Sequence, residues 1–232
     1  MTQRTIAIIG AMPEEVALIA NSLQNVNYEE GASLRVACGN LTSKRGENLR
    51  VVATVGGMGT VNAAATTQYL IDTYHPQAVL FSGIAGNLTK SLHVNDIVLG
   101  ETLCYLDTDM RMIAQWKPQT EVFHSDPALL ETASRVLDDM GVTHISGTIA
   151  TGNTFVGTPE AVAKVRAVVD ADAVEMEGAS VAHVAARNDV PALVVRAMSD
   201  NADTAYEEFR EFDISQYADT AAHLTIAIVQ NL

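Results

Sequence analysis

The stretch Thr5-Ile6-Ala7-Ile8-Ile9-Gly10-Ala11-Met12-Pro13-Glu14-Glu15-Val16 decides the fold. Thr5–Ile9 is a β-branched run closed by a glycine, the pattern of a buried strand. Pro13 then suits the first turn of a helix, where its missing N–H is not needed. Glu14 and Glu15 fall near that helix's positive end. Val16, Leu18, Ile19 and Leu23 supply an apolar face. A buried strand that turns at once into a helix is the unit from which α/β sheets are built.

The same unit recurs down the chain. Strands are predicted at Leu34–Cys38 and Leu49–Val55, with Gly39-Asn40 as a turn between them. The loop Gly56-Gly57-Met58-Gly59 leads into a helix over Val61–Tyr74, stopped near Pro76. Buried strands follow at Ala78–Ser82, Asp96–Gly100, His144–Thr151, Ala173–Met176 and Pro191–Met198. Between and after them lie helices opening at Asp126-Pro127, Pro159, Gly178 and Ser215. Alternation of this kind predicts an α/β fold with helices on both faces of a central mixed sheet. No Pro/Gly/Ser linker, repeat or low-complexity tract interrupts it, so residues 1–232 read as a single domain.

Composition narrows the function. Apolar residues make up 48 % and charged residues 18 %, a globular balance. The net charge of −14 argues against nucleic acid and against an anionic membrane as partner. Cys38 and Cys104 are far apart with no CxxC, which disfavours a disulfide framework or a cysteine zinc site. No HExxH spacing occurs, so no metal is expected. The apolar run after Met1 is too short for a signal core or a membrane span, which makes the cytoplasm the expected location.

In an open α/β sheet, ligands bind beyond the carboxyl ends of the strands. Polar and glycine residues gather there, at Gly10–Glu15, Gly57–Thr60, Gly83–Gly86, Gly152–Gly157, Glu175–Glu177 and Ser199–Asp200. Gly57-Met58-Gly59-Thr60 resembles half a dinucleotide fingerprint, but Asn62 stands at the third glycine position, so a tight turn into a helix is the better reading. Glu15 by position alone is a helix-dipole partner. Facing a cleft, it is also a candidate general base. Alternation along a strand sends Glu175 and Glu177 to one face, and a carboxylate there suits the paired hydroxyls of a ribose. Arg196 interrupts an apolar strand, a place where arginine usually has a fixed carboxylate or ligand partner. Asp200 follows at the strand end and alternatively caps a turn.

Taken together, GAMPEEV (10–16), SGIAGN (82–87), TGNTFVG (151–157), VEMEGA (174–179) and VVRAMSD (194–200) resemble, in order, the motifs of 5′-methylthioadenosine/S-adenosylhomocysteine nucleosidases of the nucleoside-phosphorylase fold. The resemblance covers nearly the whole chain. It implies hydrolysis of the bond between adenine and ribose, with no cofactor. By resemblance, Glu15 takes a proton from the attacking water and Asp200 protonates the leaving adenine. Glu177, beside the backbone of Met176, grips the ribose, with Glu175 next to it. Arg196 and Ser199 support this arrangement. Phe155 stacks on adenine, and the backbone of Val156 reads its edge. Met12, Met58 and Tyr206 line an apolar slot for the 5′ thioether, completed by a second subunit, so a homodimer is expected.

Three departures stand out. Ile84 occupies a place where many relatives carry a small hydroxyl residue that helps hold the nucleophilic water. Tyr105-Leu106-Asp107-Thr108-Asp109 replaces a Tyr-His-Asp-x-Asp run, and Asn153 stands where Asp is common. Related phosphorylases hold phosphate with residues that here are replaced by GAMPEE, Phe81 and Ile84, and a phosphate dianion would be repelled by Glu15. Water is therefore the expected nucleophile. A nucleosidase for another nucleoside, a phosphorylase and a non-catalytic nucleoside binder are the competing expectations.

Overall fold

All six residues of Thr5–Gly10 are buried and form strand β1. Ile6 and Ile8 enter one hydrophobic layer and Ala7 and Ile9 the other, so both faces of the strand are covered. The computed structural model describes residues 3–204, 206–209, 211 and 213–232, and the side chain of Tyr206 lies outside what is described. From β1 the chain continues through α1 (Pro13–Ser22), β2 (Gln24–Gly31), β3 (Leu34–Thr42), β4 (Asn48–Val55) and α2 (Thr60–Tyr74). Next come β5 (Ala78–Asn87), β6 (Ile97–Tyr105), α3 (Met110–Ile113), β7 (Phe123–His124), α4 (Pro127–Asp139) and β8 (His144–Thr151). The last third holds α5 (Pro159–Val168), β9 (Ala173–Glu175), α6 (Gly178–Arg187), β10 (Ala192–Asp200), α7 (Tyr206–Phe209) and α8 (Ser215–Gln230).

The strands among the described residues join in one mixed sheet, ordered β10-β6-β8-β9-β5-β1-β4-β3-β2, with β7 on β6. Leu and Val residues of α4 and α8 and Ile19 of α1 cover one face. Ala63 and Leu70 of α2 and Val181 of α6 cover the other. One part of the sheet closes on itself. β10 pairs in parallel with β5 as well as antiparallel with β6, so β10, β6, β8, β9 and β5 close a ring of pairings.

Closure lengthens two strands. β5 runs on to Asn87 and β10 to Asp200, so Gly83–Gly86 and Ser199–Asp200 lie within strands rather than after them. The register between β10 and β5 shifts between Met198 and Asp200, a bulge at Ser199 that re-aims the end of β10. Gly39-Asn40 is not a turn: β3 runs straight through it, with Gly39 opposite Val51 and Asn40 opposite Arg50. β2 has no apolar alternation to announce it, because as an exposed edge strand it has no buried face.

β9 also ends earlier than the alternation argument requires. Glu175 is its last residue, and Glu177 occupies the N-cap position of α6 at φ −140° and ψ −38°. The two carboxylates converge by different routes. Glu175 Oε2 accepts the backbone N–H groups of Glu177 (3.0 Å) and Gly178 (2.7 Å), capping α6 at its positive end. The same oxygen pairs with Arg196 Nη2. Its other oxygen accepts Thr151 Oγ1, which in turn accepts the Ala179 amide at 2.9 Å. Arg196 is 0 % exposed, and its guanidinium lies 4.0 Å over the Phe81 ring.

Removing one partner of a buried pair strands the other charge without compensation, which typically costs about 3–5 kcal/mol. Glu175→Ala is expected to lower the unfolding free energy by about that much in urea titrations. A loss below about 1 kcal/mol would show that the pair does not hold β9, β10 and α6 together.

Candidate active site

A cavity of about 510 Å³ opens at the carboxyl ends of the central strands. Its walls bring together Met12, Glu15, Met58, Ile84, Phe155, Val156, Glu175, Met176, Glu177, Ser199 and Asp200, eleven of the thirteen residues singled out from the sequence. Arg196 is not in the wall but packed behind it. Tyr206 offers a side chain outside the described residues.

Glu15 is 2 % exposed at the first turn of α1. Its Oε2 accepts the amides of Ala11 (2.6 Å) and Met12 (3.0 Å), and its Oε1 accepts that of Ile84 (3.0 Å). These three bonds fix the carboxylate between the end of β1 and the middle of β5. Burial raises its pKa, opposed by the Arg196 charge and the three amides. Gly83 makes this approach feasible, because an added Cβ there would collide with both Arg196 Nη1 and Glu15 Oε1. A fixed carboxylate with a raised pKa is equipped to take a proton from a water in the cavity.

Glu177 lines the same cavity. Its Oε1 accepts the Gly59 amide at 2.7 Å, and its Oε2 lies 3.5 Å from Arg196 Nη2. Burial and the neighbouring Glu175 charge push its pKa up to about 8, against the pull of Arg196 and the Gly59 N–H. For Arg196 itself, burial works against the charge, but Glu175, Glu15 and Glu177 together outweigh it and raise its pKa. Its Nε and Nη1 have no hydrogen-bond partner among the described residues.

Asp200 is the third carboxyl of the lining. Oδ2 accepts Ser199 Oγ at 2.7 Å and Oδ1 accepts the Ala202 amide at 2.6 Å. The turn reading of Asp200 thus holds in part, since the Ala202 bond is a turn contact. Burial raises the pKa of Asp200, with Ser199 and Ala202 opposing and Asp203 adding to the rise. Such a carboxyl holds its proton closer to neutrality and is able to donate it.

The remaining wall is apolar. Phe155 and Phe209 pack at 5.1 Å between ring centres. Ile84 joins Ile214 and Ala218 in a small cluster, with Met12, Phe209 and Tyr217 against it. Met58 is 58 % exposed, which puts it at the mouth. Phe209 is the lining residue that falls outside every motif read from the sequence. It sits in Tyr-Glu-Glu-Phe, an acidic tetrad with no motif to mark it, and only the packing of α7 on the 153–156 loop brings it in. Among the described residues no group of three His, Cys, Asp or Glu is arranged to hold a metal ion.

The phosphorylase superfamily sequence profile matches residues 5–230. The 5′-methylthioadenosine/S-adenosylhomocysteine nucleosidase of Hydrogenovibrio crunogenus is 36 % identical over 94 % of this chain and 92 % of its own. The crystal structure of the Neisseria meningitidis nucleosidase of that name, in complex with methylthio-immucillin-A, superposes with a TM-score of 0.90 at 32 % identity, covering 99 % of this chain and 100 % of the other. The futalosine hydrolase of Helicobacter pylori gives a TM-score of 0.87 at 29 % identity, over 99 % and 98 %. With its motifs in order, its three carboxylates around one cavity and relatives matched end to end, this chain belongs to the 5′-methylthioadenosine/S-adenosylhomocysteine nucleosidase family of the phosphorylase superfamily.

Proposed function

We propose that residues 1–232 act as one nucleosidase domain that hydrolyses the N-glycosidic bond of 5′-methylthioadenosine and S-adenosylhomocysteine, releasing adenine and the 5′-thio-ribose. The observation that carries this reading is that Glu15, Glu177 and Asp200 line one cavity, each held by backbone amides.

In this reading adenine binds at the Phe155 end and its ring nitrogen meets Asp200. Glu177 accepts the ribose hydroxyls beside the backbone of Met176. Water adds its oxygen to C1′ and gives a proton to Glu15. The C1′–N bond breaks, and the electron pair left on adenine takes the proton of Asp200. Charge develops on the ribose as the bond stretches, and fixed carboxylates stabilise it most in that transition state. Arg196 keeps Glu15 and Glu177 in place from behind, and Ser199 does the same for Asp200. The thioether lies against Met12, with Met58 at the mouth and Tyr206 assigned to the same slot by family likeness.

Water rather than phosphate is supported by the lining. Among the described residues no Lys or Arg lines the cavity, and a phosphate dianion would meet Glu15. A second reading keeps the reaction and changes the 5′ group. It rests on Ile84, whose side chain adds apolar wall where relatives have a hydroxyl, and on the altered 105–112 segment.

We further propose a homodimer. Met58, Val61, Met112, Ile113 and Trp116 are exposed apolar side chains. Asn153 accepts the Thr60 amide and donates its own N–H to Asp107, which ties the 58–61 and 107–116 segments together beside the cavity mouth. We also propose the cytoplasm as its location. No helix among the described residues is long and apolar enough to cross a membrane. Cell fractionation tests that assignment.

The first experiment is chromatography of adenine released from 5′-methylthioadenosine, with and without phosphate. Release in phosphate-free buffer is expected. Release only with phosphate, or none in either buffer, rejects the reading, and S-adenosylhomocysteine and other nucleosides in the same assay separate the two substrate readings. Asp200→Asn and Glu15→Gln are each expected to lower kcat by about 10²–10⁴-fold with an unchanged melting curve. A folded variant within about threefold of wild type removes that residue's role. Sedimentation equilibrium should return about twice the chain mass of 24.7 kDa, and a single-chain mass at micromolar concentration excludes the dimer.

A further inference from the structure

The N-cap position of α2 is Gly59, which has no side chain to accept the free amides of the first turn. At φ +94° it sits in a conformation that glycine adopts without strain, so its backbone needs an external hold. Asn153, on the loop after β8, provides one. Its Oδ1 accepts both the Thr60 amide and the Thr60 hydroxyl, each at 3.0 Å.

The other end of the Asn153 amide is also engaged. Nδ2 donates to Asp107 Oδ2 at 3.4 Å, and the Asn153 backbone N–H donates to the same atom at 3.1 Å. Asp107 accepts only, so it turns the NH₂ toward itself and leaves Oδ1 facing Thr60. Immediately before Thr60, the Gly59 amide donates to Glu177 Oε1 at 2.7 Å.

We propose that Asn153 is a positioning residue that holds the Gly59 amide on Glu177, with Asp107 setting the direction of its side chain. The inference rests on the nucleosidase reading, in which Glu177 binds the ribose as a carboxylate. Asn153 borders the cavity, but its oxygen is taken twice by Thr60, so its contribution reaches the substrate through Glu177.

Loss of the Asn153 oxygen frees Gly59 to swing. Glu177 then loses an N–H that favours its ionised form against burial. Its pKa rises, and more of it is protonated at a given pH. Glu175, Glu15 and Arg196 also face Glu177 and are unaltered by substitution at residue 153, so the shift reports on the Gly59 bond.

The test is the steady-state pH profile of adenine release from 5′-methylthioadenosine by wild type, Asn153→Ala, and Asn153→Asp combined with Asp107→Asn. The double variant swaps the acceptor and the amide, keeping an oxygen on Thr60 and an N–H between residues 153 and 107. Asn153→Ala is expected to raise KM on the order of tenfold with kcat within about threefold, and to move the acid limb of kcat/KM to higher pH. The swapped pair is expected to return both toward wild type. An unmoved KM and acid limb in Asn153→Ala, a fall in melting temperature alone, or a swapped pair as impaired as the single variant overturns the inference. If wild type releases adenine and Asn153→Ala matches it, only the positioning role falls. If wild type releases none, the nucleosidase reading falls with it.

Discussion

One buried guanidinium holds the centre of this molecule. Arg196 pairs with Glu175, lies 3.5 Å from Glu177, rests on the Phe81 ring and carries a charge felt by Glu15. A single cation thus serves three carboxylates that come from α1, β9 and the start of α6. Arginine suits the task because its planar fork reaches several acceptors at once and its face stacks on an aromatic ring. Burial, with the Glu175 charge beside it, pushes Glu177 up to about 8 against the pull of that cation.

The second constraint is the ring closed by β5 and β10. Their parallel pairing extends both strands past the point where an open sheet would stop, so Ile84 and Asp200 reach the cavity on ordered backbone. The bulge at Ser199 then lets Ser199 Oγ and the Ala202 amide bracket the Asp200 carboxyl. Acid and base are thereby mounted on strands and a helix start, where geometry is held better than on free loops. Loops supply the apolar end, with Phe155 against Phe209.

At Ile84 the backbone and the side chain have separate roles. Its amide still donates to Glu15, a service any residue at that position provides. Its side chain instead thickens the apolar wall with Ile214 and Ala218 at the start of α8. The side chain is thus spent on contact with the C-terminal segment rather than on Glu15. Asn153 illustrates the converse, a polar side chain whose bonds are spent on orienting a neighbouring loop.

The sequence by itself determined the α/β class, because Thr5–Gly10 and the later β-branched runs are buried on both faces and their hydrophobicity is continuous. It also determined which residues stand at strand ends, since glycines and acids interrupt those runs. Only the tertiary structure decided the ring closure, which depends on β5 pairing with a strand more than a hundred residues away. The same is true of β2, whose exposed edge carries no apolar period, and of Gly39-Asn40, whose turn-like composition yields to hydrogen bonds from β4. It decided as well that Glu175 caps α6 while Glu177 takes the Gly59 amide, where alternation alone made them equivalent. Local pattern records burial and backbone preference. Which long-range partner satisfies each buried polar group is settled only when the strands are brought side by side.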